Sequence, residues 1–330
     1  MPRASGRRFS RGELGATVSH PLLQADVVRA VERAASAHRG RPWASAGLTS
    51  LDACAAHPAG IYKGEAFSVF AKLADGPDAH AQFTAEQRGL DLIRGRSHVG
   101  TPVPVGPGLI HVGDGSLLLS EALPERPAER RRRADYEALG RTLATLHEVS
   151  DGQFGLAGLA WSDGFFGPFR QDNRPVPANT WASFYTERRI GPSLRAAVDS
   201  GHLPADLAAG VGRIVARLPE LAGPEPTPAL LHGDAQQNNF ISTPDGAVVI
   251  DACPYFGHPE LDLALLGYFE PVPGAVFDAY RDVRALDRGF DERIELWRLF
   301  AYLAVISATG PSSLGRDFFG RVASAVARYA

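Results

Sequence analysis

The sequence is poor in lysine. Of its 34 basic residues only Lys63 and Lys72 are lysines, Met1 is the sole methionine, and Cys54 and Cys253 are the only two cysteines. Two cysteines are too few for a disulfide framework, and their spacing matches no metal motif. Both read as buried small hydrophobes, with Cys253 close enough to a candidate metal site to be worth alkylating. No apolar run approaches the roughly 18 residues that cross a bilayer, and the start, MPRASGRRFSRGELG, has no apolar segment behind its basic residues. The expected location is therefore the cytoplasm, with no membrane partner. A formal charge of −3 argues against nucleic acid as the main partner. The densest basic run, Arg130 to Arg133, enters a helical pattern and reads as a solvated face. The abundant residues are Ala, Arg, Gly and Pro, a bias that points to a GC-rich coding genome, so a lysine here needs a reason. With 330 residues and 45% hydrophobic content, the chain can bury a core as one large domain or two smaller ones.

The most informative stretch is Leu230 to Leu266, LLHGDAQQNNFISTPDGAVVIDACPYFGHPELDLALL. An apolar approach ends in His232, Gly233 and Asp234, Asn239 follows, and Asp251 lies behind the apolar run Ala247 to Ile250. Thr243-Pro244-Asp245-Gly246 is a strong turn signal, which makes the segment a β-hairpin. Residues facing one another across an antiparallel pair lie about 4.5 to 5.5 Å apart, so Asn239 and Asp251 meet at its open end. Two such oxygens suit Mg²⁺, which keeps several waters and binds nucleotide phosphates. Asp234 is placed to face a substrate hydroxyl. The layout is that of phosphoryl transfer in kinases. The spacing resembles the aminoglycoside phosphotransferase and protein-kinase-like superfamily.

Upstream, residues 1 to about 18 read as flexible and Asp26 to His38 as an amphipathic helix. Leu48 to Ala56 and Gly60 to Ala74 read as strands, the second broken at Lys63-Gly64-Glu65, so three antiparallel strands are expected. In SVFAKLA the alternation puts Val69, Ala71 and Leu73 on one face and Lys72 on the other, with its ammonium suited to phosphate oxygens. A helix from about Ala79 to Gly95 carries Phe83, Glu86, Leu90 and Ile93 on one face. A carboxylate there needs a partner, and Lys72 is the candidate. The stretch Ala55 to Gly60 offers a single glycine for a phosphate loop. Leu109 to Val112 and Leu117 to Ser120 form a further hairpin around Gly113-Asp114-Gly115. Glu121, Ala122 and Leu123 then leave the sheet before a proline-rich hinge, Pro124 to Pro127. Tyr136 to Glu148 begins a helical second lobe, with His147 read as a partner of the helix dipole. Gln153 to Gly191 reads as a long aromatic loop suited to a sugar or ring, although Trp181, Phe184 and Tyr185 should start a buried helix. Ala205 to Leu221, Val276 to Val283, Glu292 to Thr309 and Ser313 to Tyr329 read as scaffold helices.

Within that superfamily the chain resembles the fructosamine (ketosamine) kinases. The resemblance is carried by Ile250-Asp251, Tyr255-Phe256-Gly257-His258 and Glu260-Leu261-Asp262-Leu263-Ala264, with weaker support from Phe154-Gly155, Phe165-Phe166-Gly167, Asn179, Trp181 and Arg188-Arg189. It implies an α+β bilobal protein-kinase-like fold, with a small antiparallel-sheet N-lobe over residues 1–122 and a larger, mainly helical C-lobe over 123–330. It implies transfer of the γ-phosphate of ATP to a hydroxyl of a small sugar-bearing acceptor. Asp234 would be the catalytic base, Asn239 and Asp251 the Mg²⁺ ligands, and Lys72 with Glu86 the phosphate clamp. The connector Glu121, Ala122 and Leu123 would bind adenine, and Gln236, Phe166, Trp181 and Tyr255 would line the acceptor site. His258, Glu260 and Asp262 would lock the segment after Asp251. This chain has HGDAQQNN where the family resembles HGDLWSGN, Ala252 where a proline is usual and Gly164 where an asparagine is usual, so a diverged, more polar acceptor pocket is expected. Two other readings stay open: an aminoglycoside or nucleoside-antibiotic phosphotransferase conferring resistance, and a non-catalytic nucleotide-binding module.

Overall fold

A computed structural model describes residues 20–330 apart from 53, 54, 56 and 77. The expectations made for residues 1–18, for Cys54 and for Ala56 within the short phosphate loop lie outside the described residues. The chain opens with helix α1 (Ala25–Arg39), followed by strands β1 (Gly47–Ser50), β2 (Ala59–Lys63) and β3 (Val69–Ala74). Helix α2 (Ala79–Arg96) and strands β4 (Pro104–Val112) and β5 (Gly115–Glu121) complete a five-stranded antiparallel sheet in the order β1-β2-β3-β5-β4. β3 is therefore central. Its alternating side chains serve both faces of the sheet. Val69, Ala71 and Leu73 pack with Val27, Val31 and Leu117 in a core under α1, while Lys72 turns to the face that α2 covers through Phe83.

The second lobe is mainly helical. Its helices are α3 (Arg133–His147), α4 (Trp181–Tyr185), α5 (Gly191–Asp199), α6 (Ala205–Leu221), α7 (Pro259–Leu266), α8 (Ala275–Arg281), α9 (Phe290–Thr309) and α10 (Ser313–Tyr329). Between them lie three small two-stranded sheets: β6 (Asp163–Phe166) with β7 (Phe169–Asp172), β8 (Ala229–Leu230) with β11 (Phe256–Gly257), and β9 (Phe240–Thr243) with β10 (Gly246–Val249). The hairpin expected around Thr243 to Gly246 is β9–β10. The stretch expected as an irregular loop, Gln153 to Gly191, differs. It contains the β6–β7 hairpin, and a turn of π-helix over Thr186–Ile190 joins α4 to α5. The short period-two pattern GFFGPF was hidden among aromatic and proline residues.

α7 is buried along its whole length, including Glu260 and Asp262, and each carboxylate is partnered as burial requires. Glu260 accepts from Arg293 at 2.9 and 2.6 Å and from the Trp297 indole at 2.8 Å. His258 caps α7 by accepting from the Glu260 amide at 3.2 Å. Burial, helped by the charge of Arg293, pushes its pKa down to about 3. A folded-state pKa below the ordinary value of 6.5 means the folded protein binds fewer protons than the unfolded chain. The stabilisation is thus complete above pH 6.5 and is lost as pH falls below it, by about 1.4 kcal/mol per pH unit for each such histidine. His147 and His232, also buried and lowered, act in the same sense. His258→Asn keeps a good cap and removes one titrating group. Its melting temperature should fall less between pH 7.5 and 5 than that of the wild type, measured by calorimetry. Parallel curves would show that His258 does not titrate on unfolding.

Candidate active site

The catalytic-loop segment is shaped by its backbone. Gly233 has φ +83, and a Cβ there would meet the Cys253 carbonyl at 1.9 Å, so only glycine allows the two segments to pass. The Cys253 amide donates to the His232 carbonyl at 2.9 Å and the Leu231 amide to Tyr255 at 2.9 Å. These bonds extend the β8–β11 pairing. Beneath them Asp262 accepts from the His232 amide at 2.6 Å, the Gly233 amide at 3.0 Å and His147 Nε2 at 3.1 Å. A buried carboxylate thus holds two successive amides of the turn that presents Asp234. His147 also pairs with the Tyr280 hydroxyl at 2.8 Å. The expected dipole role does not hold: the ring is fully buried and belongs to the network that fixes this loop.

Asp251 ends the hairpin in the left-handed region, at φ 51. A non-glycine residue pays strain there, and aspartate is among the residues that tolerate it. The turn brings Asp251 back toward the sheet. There Lys72 Nζ lies 2.6 Å from Glu86 and 2.7 Å from Asp251, so one ammonium joins β3, α2 and the end of β10. Burial opposes the charge on Lys72, but the two carboxylates outweigh it and raise its pKa. Burial pushes the Glu86 carboxyl up, to about 8, with the Asp251 charge adding and the Lys72 charge opposing. Burial pushes Asp251 the same way, but the Lys72 charge and hydrogen bonds from Glu86 and Lys72 bring it down to about 2.

These groups line one cleft of about 530 Å³ between the lobes, together with Asp234, Gln236 and Asn239. Burial lifts the Asp234 carboxyl to about 7, with the Gln236 amide opposing and the charges of Asp251 and Asp262 adding. The Asn239 amide donates to the Asp234 carbonyl at 2.8 Å. Its side-chain oxygen and the half-exposed Asp251 carboxylate are the hard donors available to a cation. Such a pair fits Mg²⁺, which takes its remaining ligands from water and phosphate.

Other expected site residues lie elsewhere. Phe166 packs against Tyr268 and Phe300 in the core, and Phe165 lines the cleft instead. Trp181 is fully buried, stacked on Phe184 and Tyr185, and Tyr255 is equally buried under Arg189. The alternation of β6 and the depth of α4 turn these rings inward, which composition alone does not disclose. In the connector, the Glu121 amide donates to Val103 at 2.8 Å and the Ala122 amide to Ser68 at 3.0 Å. Among the described residues the Leu123 amide has no acceptor, leaving one donor for a ligand. His57, Asn173 and Cys253 also line the cleft. Burial raises the Cys253 thiol to about 11 and leaves it a poor nucleophile. One member of the basic run departs from the solvated face: Arg131 donates to the carbonyls of Gln237 and Phe240, at 3.2 and 2.7 Å, on either side of Asn239. Nothing in an arginine run distinguishes the one that reaches inward.

Residues 27–315 match the family described as fructosamine kinase. The chain belongs to the fructosamine kinase family. It is 32% identical over 227 residues to a "Probable ketoamine kinase" of Klebsiella aerogenes, covering 67% of this chain and 73% of that one. It superposes on a crystal structure assigned as a fructosamine-3-kinase from Thermobifida fusca with TM-score 0.72 and 33% identity, over 90% of this chain and 99% of that one. An aminoglycoside phosphotransferase, APH(4)-Ia, in complex with ADP and hygromycin B shares the fold alone, with TM-score 0.59 and 15% identity over 91% and 99% of the two chains. As a member of this kinase family the protein is an ATP-dependent phosphotransferase with an alcohol acceptor. Among the described residues no helix is long and apolar enough to cross a membrane.

Lys72→Met removes the one cation shared by Glu86 and Asp251. It should lower kcat/KM for ATP by about 10²-fold or more, the scale of a lost electrostatic contact to a transferring group, in a steady-state assay with varied ATP. Unchanged kinetics would place the nucleotide phosphates away from β3.

Proposed function

We propose that the protein transfers the γ-phosphate of MgATP to a hydroxyl of a ketosamine, a sugar joined to an amine through its first carbon. The observation that carries this reading is the meeting of Lys72, Asp234 and Asp251 in one cleft, in a chain of the fructosamine kinase family. In this reading residues 1–122 form the nucleotide-binding lobe and 123–330 the catalytic and acceptor-binding lobe. Glu86 holds the Lys72 ammonium for the phosphates, as the 2.6 Å bond supports, and the adenine lies against the connector Glu121 to Leu123, whose Leu123 amide has no acceptor among the described residues. Asn239 and Asp251 hold the cation. When bound, Mg²⁺ neutralises the charge on the phosphate oxygens.

Asp234 orients the acceptor hydroxyl and takes its proton. The Asp262 carboxylate under the His232 and Gly233 amides keeps Asp234 from shifting, and positional precision is what such catalysis demands. The closed network around these groups supports an active enzyme over a non-catalytic binding module. Release of ADP with MgATP should occur with glycated amines such as fructosyl-lysine. A panel that also holds aminoglycosides and nucleoside antibiotics tests the reading, since activity confined to the antibiotics would overturn it. Asp234→Asn should keep nucleotide affinity, measured with a fluorescent ATP analogue, within about threefold while turnover falls by about 10²-fold or more, the scale of a lost general base. Equal turnover in that variant would reject Asp234 as the base.

A further inference from the structure

We infer that Gln236 selects the acceptor: its side-chain oxygen accepts a hydrogen bond from a hydroxyl on the carbon next to the one phosphorylated, so the site favours vicinal diols. This rests on the reading that Asp234 orients the attacking hydroxyl. Gln236 is held at both ends. Its backbone amide donates to the Asp234 carbonyl at 2.8 Å and its carbonyl accepts from the Asn239 amide at 2.9 Å, while its side-chain Nε2 donates to Asp234 Oδ1 at 2.7 Å. The orientation of the amide follows from chemistry. Acting as a base, Asp234 must be without its proton, and in that form it only accepts, so the NH₂ end faces Asp234 and Oε1 faces away.

Among the described residues no donor reaches Gln236 Oε1. Both residues line the cleft. Two acceptors of different strength therefore stand side by side, and they match two hydroxyls on adjacent carbons, the more acidic contact going to the carboxylate. The charge-assisted bond to Asp234 makes Nε2 a fixed anchor, so Oε1 cannot swing to suit an acceptor with a lone hydroxyl. A site with a placed polar group rejects an analogue that leaves it unpaired.

The test compares a ketosamine bearing all its hydroxyls with derivatives that each lack one, on the wild type and Gln236→Met. Methionine keeps the length and neither donates nor strongly accepts. The wild type should lose roughly 10- to 100-fold in kcat/KM on a derivative deoxygenated beside the reacting carbon. Gln236→Met should lose a similar factor on the parent compound and no more on that derivative, with its affinity for a fluorescent ATP analogue and its melting temperature kept. If Gln236→Met discriminates parent from derivative as well as the wild type does, the inference is overturned. A wild type inactive on every ketosamine would instead overturn the proposed function, a failure visible before any variant is made.

Discussion

Lys72 is held between two carboxylates that come from different parts of the molecule, Glu86 on α2 and Asp251 after β10. The ammonium is shared between the mostly buried Glu86 and the half-exposed Asp251, so removing the cation leaves Glu86 without a compensating charge, a loss on the scale of about 3 to 5 kcal/mol for a buried pair. The position of the sheet relative to the catalytic loop follows from this contact. α2 must lie against the face of β3 that carries Lys72, and the chain after the hairpin must bend through the left-handed conformation of Asp251 to reach it. The opposite face of the same strand is committed to the core under α1. The strand thus splits its two faces between packing and chemistry.

A second buried carboxylate organises the other side of the cleft. Asp262 lies on a helix whose residues are all buried, and it spends its oxygens on the His232 and Gly233 amides and on His147. Gly233 is required because the Cys253 carbonyl occupies the space of a side chain. Apolar packing alone would hold this loop loosely. Directional bonds to a fixed carboxylate hold it in one geometry, and Arg131 adds two more from the connector side. The result is a rigid segment around Asp234 facing a cleft lined by Gln236 and Asn173 together with the Trp161 and Phe165 rings.

Membership of the fructosamine kinase family accounts for the reaction class, and the residues around Asp234 account for what distinguishes this chain. Gly164 is one such residue: a side chain there would meet the Cys253 sulfur at 2.2 Å and the Asn173 amide at 2.9 Å. The glycine and the thiol fit one another. Reintroducing an asparagine at 164 without shrinking residue 253 would force the β6–β7 hairpin away from the cleft.

Periodicity and turn chemistry made much of this architecture legible. The alternation around Lys72, the inward stripe of α2 with Glu86 on it and the turn between β9 and β10 each follow from local rules, because strand and helix periods fix which side chains share a face. The scarcity of lysine singled out Lys72. Phe166, Trp181 and Tyr255, which the resemblance implied for the acceptor site, are core, since an aromatic side chain serves packing and recognition equally well and only its surroundings distinguish the two. His147, read as a helix-end charge, is a neutral buried link, and Arg131 left its basic neighbours to hold the catalytic loop. Local pattern was enough for the longer helices, the β9–β10 turn, the reactive groups and the family, while the β6–β7 hairpin escaped it. Tertiary structure alone decided which residues converge, because pairing Lys72 with Asp251, or Asp262 with the His232 amide, depends on how separate elements cross, and that is set by packing between segments that no local pattern encodes.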